Sequence, residues 1–409
     1  MNWIRGRVVF WGYILNAIIC ILSLCLTLIF CEFIARKFVE LKPAPDYIES
    51  IRNSVLIGNR LWGKNLDIVY DIRGLYQNAT YSIFRTSNRH LIEPDLVGRD
   101  DFKVLFIGSS TVEALYVSEG YRWVELLNKL GSVRTFNAGQ SGANSVDAYY
   151  GYKYLTENLG MHFDLVVLST ATNDFSWGNR FSEVHQNLSI RGYHEKLKNY
   201  YLKTYGDRSK LERCSERLAI CKLVSQVRIS YQDFLMSKRF HGLGNVTQNY
   251  LKVKKDKENA HQLVVASDTE FPDKIFYKFS EQATENLRVF NQAVKKNNSK
   301  LLVISESSSY GASQESFYLD LRVPVVVDGV AFWGGSAVKF YQSLNRIYLE
   351  AAQRAGANTF DLADSLNGNR VDGGRFFYDS IHYNVEGCKE VARILAPVID
   401  SQRLRKWSH

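Results

Sequence analysis

Three short stretches of this chain carry side chains that could act together on an ester. Ser110 follows one apolar run, Asn173 follows another, and Asp379 stands three residues before His382. An imidazole held in one tautomer by a carboxylate can accept the proton of a serine hydroxyl. The amide of Asn173 and the backbone N–H of Gly139 could donate hydrogen bonds to the oxyanion that then forms. These residue types in this order predict acyl transfer through a serine nucleophile.

Several of these residues also have a purely structural interpretation. Small residues such as Ser109 and Ser110 commonly open strand-to-helix turns, and Ser109 is the alternative nucleophile. Asp379 or Asn384 could cap a helix predicted over residues 385–395. Glycine and asparagine at strand ends often serve turns. The combination of residues therefore indicates the chemistry, and no single residue does.

The surrounding segments predict an α/β fold with alternating strands and helices. Short apolar runs typical of buried strands lie at residues 103–107, 133–136, 164–168, 301–304 and 359–362. Helical spacing of apolar residues is found at 123–130, 146–155, 281–296 and 337–355. This alternation favours a parallel sheet covered by helices on both faces. Ligands bind at the carboxyl edge of such a sheet, where Ser110, Gly139 and Asn173 are expected to lie.

Four sequence blocks together resemble those of the SGNH (GDSL) hydrolase superfamily: Gly108 to Glu113, Asn137-x-Gly139, Thr172 to Asp174, and Asp379-x-x-His382. The resemblance implies a flavodoxin-like three-layer α/β/α domain. It implies Ser110 as nucleophile, His382 as base and Asp379 as the residue that orients it. The implied oxyanion donors are the N–H groups of Ser110 and Gly139 and the amide of Asn173. Two positions depart from the family pattern: Ser109 replaces a usual Asp, and Ala171 a usual Gly.

The N-terminal region predicts a membrane anchor at residues 1–40. Residues 8–31 are apolar apart from Asn16 and small polar residues. Such a run can cross a hydrocarbon layer about 30 Å thick as one helix. A signal peptide is the alternative, but its apolar region would be unusually long and no small-x-small cleavage site follows. Arg5 and Arg7 precede the run and Arg36 and Lys37 follow it, so the charge difference across it is small. We expect the N-terminus inside and the catalytic domain on the periplasmic side of the inner membrane.

The remaining boundaries follow from composition in a chain of 409 residues, 46% of them hydrophobic. We expect a juxtamembrane segment at 41–101 that packs on a hydrolase-like domain at 102–400, and a tail at 401–409. A long, mainly helical insert interrupts the domain at about 180–275. Between residues 186 and 257 it holds sixteen Lys or Arg against six Asp or Glu, in a chain of net charge +9. The insert is expected to wall or cover the site, and a solvated basic surface is the alternative.

The six cysteines indicate no zinc site, because none has the spacing of a zinc motif. We expect neither a metal nor a cofactor. Cys214 and Cys221 could form a disulfide in an oxidising compartment, or they could be two unpaired thiols. Cys388 is predicted to be a core residue.

Together these features predict a membrane-anchored serine esterase that removes or transfers small acyl groups, acetyl above all, on a cell-envelope carbohydrate. One alternative is a polysaccharide O-acetyltransferase, which would need a membrane partner because one span cannot form a channel for the acyl donor. Another is a non-catalytic scaffold among polysaccharide-assembly proteins. Nucleic acid is not an expected partner, because no recognition motif accompanies the basic insert.

Overall fold

The computed structural model describes residues 61–92, 102–130, 133–181, 243–260, 264–265, 273–327, 330–366 and 373–407, together with residues 20, 23, 24, 26, 27 and 29–34. The chain divides into two units, Met1–Asp46 with Asn199–His241, and Tyr47–Lys198 with Gly242–His409. The described residues of the first unit are helical. None of the helices within the described ranges has the length and apolar character needed to cross a bilayer. Most of the predicted span, as well as Cys214 and Cys221, falls outside those ranges.

The second unit opens with an antiparallel pair of strands, β1 (Asp67–Asp71) and β2 (Tyr81–Arg85). Apolar residues of this strand pair belong to one buried cluster that also includes Leu115, which follows the first strand of the central sheet. The Ser82 hydroxyl donates to the carbonyl oxygen of Leu115 at 2.9 Å. The segment expected at 41–101 therefore packs on the main domain through its described part.

The central sheet has five parallel strands: β3 (Lys103–Gly108), β4 (Arg134–Gly139), β5 (Leu165–Ser169), β7 (Lys300–Ile304) and β10 (Asn358–Phe360). Their spatial order is β10-β7-β5-β3-β4, and every neighbouring pair is parallel. This is the flavodoxin-like order, whose direction reverses between β3 and β5. A three-stranded sheet that the periodicity did not predict contains β6 (Val264–Val265), β8 (Val325–Val327) and β9 (Val330–Phe332).

Nine labelled helices accompany these strands in the described part of the second unit: α1 (Ser110–Glu113), α2 (Trp123–Leu130), α3 (Ser145–Lys153), α4 (Ala171–Phe181), α5 (Asn245–Ala260), α6 (Asp273–Lys296), α7 (Gly334–Arg354), α8 (Leu362–Leu366) and α9 (Val385–Trp407). A π-helical turn, Tyr154–Asn158, continues α3. Helix α9 does not end near Leu395 but runs through Pro397 to Trp407. Residues 401–407, expected as a tail, are therefore helical.

Alternate residues of the central strands face two helical layers, because successive side chains of a strand point to opposite faces. Leu105 and Ile107 of β3 join an apolar cluster with α3, α6 and α7. Val104 and Phe106 join another cluster with α2 and α9, which also includes the fully buried Cys388. The result is the expected three-layer α/β/α domain, and its carboxyl edge carries the loops that follow β3, β4 and β5.

Candidate active site

The turn after β3 presents Ser110 at the carboxyl edge of the sheet. Ser110 is the first residue of α1, and the side chain of Ser109 caps this helix by accepting from the Thr111 N–H. A Cβ at Gly108 would overlap the carbonyl oxygen of Ser169 on the neighbouring strand β5. Glycine is therefore required where β3 turns into α1, and the close approach of β5 fixes the position of Ser110.

Ser110, His382 and Asp379 form a continuous hydrogen-bonded chain. The Nε2 atom of His382 lies 2.7 Å from the Ser110 Oγ atom, and its Nδ1 atom lies 2.6 Å from Oδ2 of Asp379. The other carboxylate oxygen of Asp379 accepts from the N–H groups of Ile381 and His382 at 3.0 and 2.8 Å. The structure thus brings together the three residues predicted to carry the proton transfer.

The alternative role for Asp379 as a helix cap belongs to Asn384. The side-chain oxygen of Asn384 accepts from the N–H of Gly387 at 3.0 Å, in the first turn of α9. Its amide nitrogen donates to the carbonyl oxygen of Arg375 at 2.7 Å. Because Asn384 satisfies the start of the helix, Asp379 is available to orient His382.

The electrostatic surroundings favour an ionised Asp379 and a basic His382. Burial raises the pKa of Asp379, but the charge and hydrogen bonds of His382 outweigh it and hold this pKa below its ordinary value. Burial lowers the pKa of His382, but the charge and hydrogen bond of Asp379, followed by the charges of Glu113 and Glu306, raise it above its ordinary value. A more basic imidazole is a better acceptor for the serine proton.

The two predicted oxyanion donors beyond Ser110 differ in their surroundings. Asn173 lies in the first turn of α4, and its Nδ2 atom donates to the Ala143 carbonyl oxygen at 2.9 Å. An amide nitrogen carries two hydrogens, so this contact uses one of them. The N–H of Gly139, in contrast, donates to Oδ1 of Asn137 at 2.9 Å. The predicted oxyanion role of Gly139 is therefore not supported, because its N–H already has a partner within the strand end.

The requirement for glycine at position 139 has another physical reason. A Cβ there would overlap the backbone of Val112 and Glu113 in α1. The side-chain amide of Asn137 also donates to the carbonyl oxygen of Val112 at 3.0 Å. The Asn137-x-Gly139 block therefore docks the end of β4 against the short helix that carries Ser110.

Asp174 is not one of the reacting residues but fixes the elements that carry them. Its carboxylate accepts from the backbone N–H and hydroxyl of Ser145, and from the hydroxyls of Thr170 and Tyr348, at 2.7–2.9 Å. Burial raises the pKa of Asp174 to about 6, against the lowering effect of these hydrogen bonds. Asp174 ties α4 to α3 and thereby fixes the helix that presents Asn173.

Glu113 is a site residue that the sequence reasoning did not select, although it lies three residues after Ser110 on the same short helix. Residues at this spacing share one helix face. The side chain is fully buried, and one of its oxygens accepts from the Ser141 hydroxyl. Burial raises the pKa of Glu113 to about 7. A second buried glutamate, Glu306, contacts the turn around Ser110 from the end of β7.

A cavity of about 240 Å³ opens beside the Ser110 hydroxyl. Its lining includes Ser110, His382, Glu113 and three tyrosines, Tyr116, Tyr250 and Tyr378. The tyrosine rings meet one another edge to face, with centroids 5.8–6.2 Å apart. Tyr250 belongs to α5, within the segment predicted as the insert. One residue of the predicted insert therefore lines the cavity beside Ser110.

The same helix also bears on the basic character of the insert. Lys252 is exposed, whereas the ammonium group of Lys254 donates to the carbonyl oxygen of Asp320 at 2.7 Å. Lys254 thus anchors α5 to the domain.

Within the described ranges, no group of three or more His, Cys, Asp or Glu side chains is arranged to hold a metal ion.

No protein-family model matches the chain, and a search of curated protein sequences finds no match. Several solved structures are similar over about three quarters of it. LAE5, an alpha/beta hydrolase enzyme from the metagenome of Lake Arreo in Spain, is 12% identical with a TM-score of 0.35, covering 73% of this chain and 95% of its own. A lipolytic protein of the G-D-S-L family from Veillonella parvula is 12% identical with a TM-score of 0.34, covering 73% and 97%.

An acetyl xylan esterase, AlAXEase, is 14% identical with a TM-score of 0.35, and the match covers 73% of this chain and all of that one. Identities and TM-scores this low do not establish a shared family or activity. The geometry around Ser110 therefore carries the functional conclusion.

Proposed function

We propose that this protein is a serine ester hydrolase of SGNH type. The observation that carries the proposal is the hydrogen-bonded chain from Ser110 through His382 to Asp379, with both ring nitrogens of His382 within 2.7 Å of their partners. A serine hydroxyl becomes a nucleophile when an imidazole held by a carboxylate can accept its proton. The position of Ser110 at the carboxyl edge, beside the reversal of strand order, adds support.

In the proposed reaction, His382 Nε2 takes the Ser110 proton as Oγ attacks the ester carbonyl carbon. The negative charge of the tetrahedral intermediate is stabilised by the N–H of Ser110 and the amide of Asn173. His382 then gives the proton to the leaving alcohol oxygen as its bond to carbon breaks. Water attacks the acyl-Ser110 ester with His382 again as base, which releases the acid and restores the hydroxyl.

The cavity beside Ser110 supports a small acyl group on a sugar. A cavity of roughly 150 Å³ accommodates a benzene-sized molecule, and the cavity here is about 240 Å³. One pyranose ring or a short acyl chain fits this size better than a long fatty chain. Tyrosine offers an apolar ring face together with a polar hydroxyl, a combination suited to a sugar ring. We infer an O-acetylated carbohydrate as the substrate class.

Acyl transfer to a second sugar is the other outcome that the same three residues allow. A transferase would use an alcohol in place of water in the second step, and it would obtain its acyl group from a partner. Supplying the full-length protein with p-nitrophenyl acetate and an oligosaccharide distinguishes the two reactions. Acetylated sugar would indicate transfer, whereas free acetate alone would indicate hydrolysis. A scaffold role predicts neither product.

We also propose that residues 8–31 anchor the chain in the inner membrane with the domain on the periplasmic side, where polysaccharide-assembly proteins are candidate partners. The length and apolar character of this run support an anchor. The mature protein should keep its N-terminus and fractionate with membranes until detergent is added. Release of the protein from membranes by salt alone would contradict this placement. Degradation of the domain by added protease only in inverted vesicles would also contradict it.

A fluorophosphonate probe tests the nucleophile directly, because it reacts with an activated serine hydroxyl. The full-length protein in detergent should be labelled on Ser110, as identified by peptide mapping, and should hydrolyse p-nitrophenyl acetate. Ser110→Ala should lose both the label and nearly all turnover. Ser109→Ala is the matched control and should still be labelled on Ser110. A label on Ser109 would move the nucleophile, and a folded wild-type protein with neither label nor turnover would refute the proposed function.

A further inference from the structure

Glu306 lies at the carboxyl end of β7 and is almost completely buried, with 1% of its surface exposed. Asn345 of α7 holds its backbone from both sides. The Glu306 N–H donates to Asn345 Oδ1 at 3.1 Å, and Asn345 Nδ2 donates to the Glu306 carbonyl oxygen at 2.8 Å. The carboxyl group therefore projects from a backbone position that is fixed by the core of the domain.

One oxygen of this carboxyl group accepts hydrogen bonds from both residues that flank Ser110. The Ser109 hydroxyl donates to Glu306 Oε1 at 2.6 Å, and the Thr111 hydroxyl donates to the same atom at 3.1 Å. Both donors are buried. A buried hydroxyl left without a partner carries an uncompensated desolvation penalty. These two bonds consequently hold the turn in one conformation.

The same carboxyl group reaches the loop after β5. Its second oxygen, Oε2, accepts from the backbone N–H of Thr172 at 2.7 Å. Thr172 immediately precedes Asn173, whose amide we assign to the oxyanion. The Ser169 hydroxyl, at the end of β5, lies 3.4 Å from Oε1. One side chain therefore contacts the loops after β3 and β5, on both sides of the point where the strand order reverses.

We propose that Glu306 is a positioning residue that fixes the nucleophile turn and the oxyanion loop relative to each other. This inference rests on the proposed function, since it concerns the distance between Ser110 and Asn173 during acyl transfer. A displacement of about 1 Å in such an arrangement can lower the rate by about 10²-fold. The position of Glu306 also gives a physical reason for serine at position 109. The Glu306 carboxylate is a hydrogen-bond acceptor, so the residue at position 109 must supply a donor.

The charge of Glu306 provides a second measurable effect. Together with Asp379 and Glu113, it is one of the negative groups that raise the pKa of His382. Removing this charge should therefore lower the pKa of His382. The acidic limb of the rate profile, where His382 becomes the neutral base, should move to lower pH. A side chain that served only the packing of the core would leave this limb in place.

The test compares Glu306→Gln with Ser109→Ala and their double variant in the full-length protein. Glu306→Gln should lower kcat for p-nitrophenyl acetate by about 10–100-fold, with KM within about threefold of wild type and slower fluorophosphonate labelling of Ser110. Its acidic limb should move to lower pH. The double variant should be about as active as Glu306→Gln alone, because Ser109 acts through the same carboxyl group.

Glu125→Gln is the matched control, since Glu125 is also a buried carboxylate but pairs with Arg122 instead of with the residues that flank Ser110. It should change the unfolding temperature and leave the kcat of the folded fraction unaltered. An unchanged kcat in folded Glu306→Gln would overturn the inference. If that variant does not fold, Ser109→Ala decides, because a normal kcat there also overturns it. Wild-type protein without label or turnover would instead refute the proposed function.

Discussion

The imidazole of His382 stacks on the phenol ring of Tyr378, with centroids 5.5 Å apart and ring planes only 8° apart. Asp379 holds the ring through Nδ1, whereas Tyr378 restricts rotation of the ring out of its plane. Tyr378 in turn meets Tyr250 of α5 edge to face at 5.8 Å. The proposed base is therefore packed against a tyrosine cluster to which the predicted insert contributes.

Replacing the stacked ring should loosen His382. Tyr378→Leu is expected to lower kcat by about tenfold, whereas Tyr378→Phe keeps the ring and should remain within about threefold of wild type. Turnover of p-nitrophenyl acetate measures the effect. Tyr152→Leu removes a buried tyrosine of α3 that belongs to a different apolar cluster, and it serves as the control for lost stability. Equal losses per folded molecule in the two leucine variants would contradict the role of the stack.

Substitutions of the residues around Ser110 should lower activity by different amounts. His382→Ala should abolish turnover nearly as completely as Ser110→Ala, because the base and nucleophile act as a unit. Asn173→Ala should lower kcat by roughly 10²–10³-fold, since it removes one oxyanion donor. Asp379→Asn should leave a measurable residual rate. A wild-type kcat for Asn173→Ala, measured by steady-state kinetics, would exclude its amide from the oxyanion site.

Glu113 should make the protein less stable as the pH rises from about 4.5 to about 7. Burial raises its pKa from 4.5 to about 7, so between these values the folded state binds more protons than the unfolded state. The free energy of unfolding should therefore fall from pH 4.5 to pH 7, by at most about 3 kcal/mol for this group. Glu113→Gln removes that dependence and should be more stable relative to wild type at pH 8 than at pH 5.

Urea unfolding of both proteins at the two pH values measures this difference. The same variant loses one of the negative charges that raise the pKa of His382, so its acidic activity limb should move to lower pH. Asp174→Asn serves as the comparison, because Asp174 is also a buried carboxyl with a raised pKa, of about 6, whose oxygens bond to Ser145, Thr170 and Tyr348 instead. A stability difference for Glu113→Gln that is independent of pH would contradict the raised pKa.

Lys252, an exposed lysine of α5, should help to bind acidic polymers without taking part in the chemistry. Lys252→Glu is expected to weaken binding to an anionic polysaccharide, most clearly at low salt, and to leave p-nitrophenyl acetate hydrolysis unchanged. Lys254 is unsuitable for this test because it bonds to Asp320. Lys278→Glu gives the same charge change at an exposed position of α6 and is the control. If both variants bind the polysaccharide equally weakly, the effect comes from the net charge of the protein and not from the position of Lys252.

Local patterns in the sequence were sufficient for the order along the chain of the strands in the central sheet. The apolar runs that became β3, β5 and β7 are continuous because both faces of these strands are buried, and such runs are visible without any tertiary information. The types and order of Ser110, Asn173, Asp379 and His382 likewise predicted the chemistry. Ser110 and Asn173 lie at one edge because the carboxyl ends of parallel strands share it, whereas the contact between Ser110 and His382 was implied by the resemblance to the SGNH blocks.

Only the tertiary structure decided which neighbours these residues have. Glu306 is separated from Ser109 by almost two hundred residues, and the sequence shows merely a polar residue after a strand. Tyr250 lies in an insert whose periodicity gives no sign of the cavity it lines. The N–H of Gly139 is satisfied by Asn137, and Asn384 rather than Asp379 caps α9. Periodicity records which face of an element is buried, whereas the partners of buried polar groups depend on how distant segments pack.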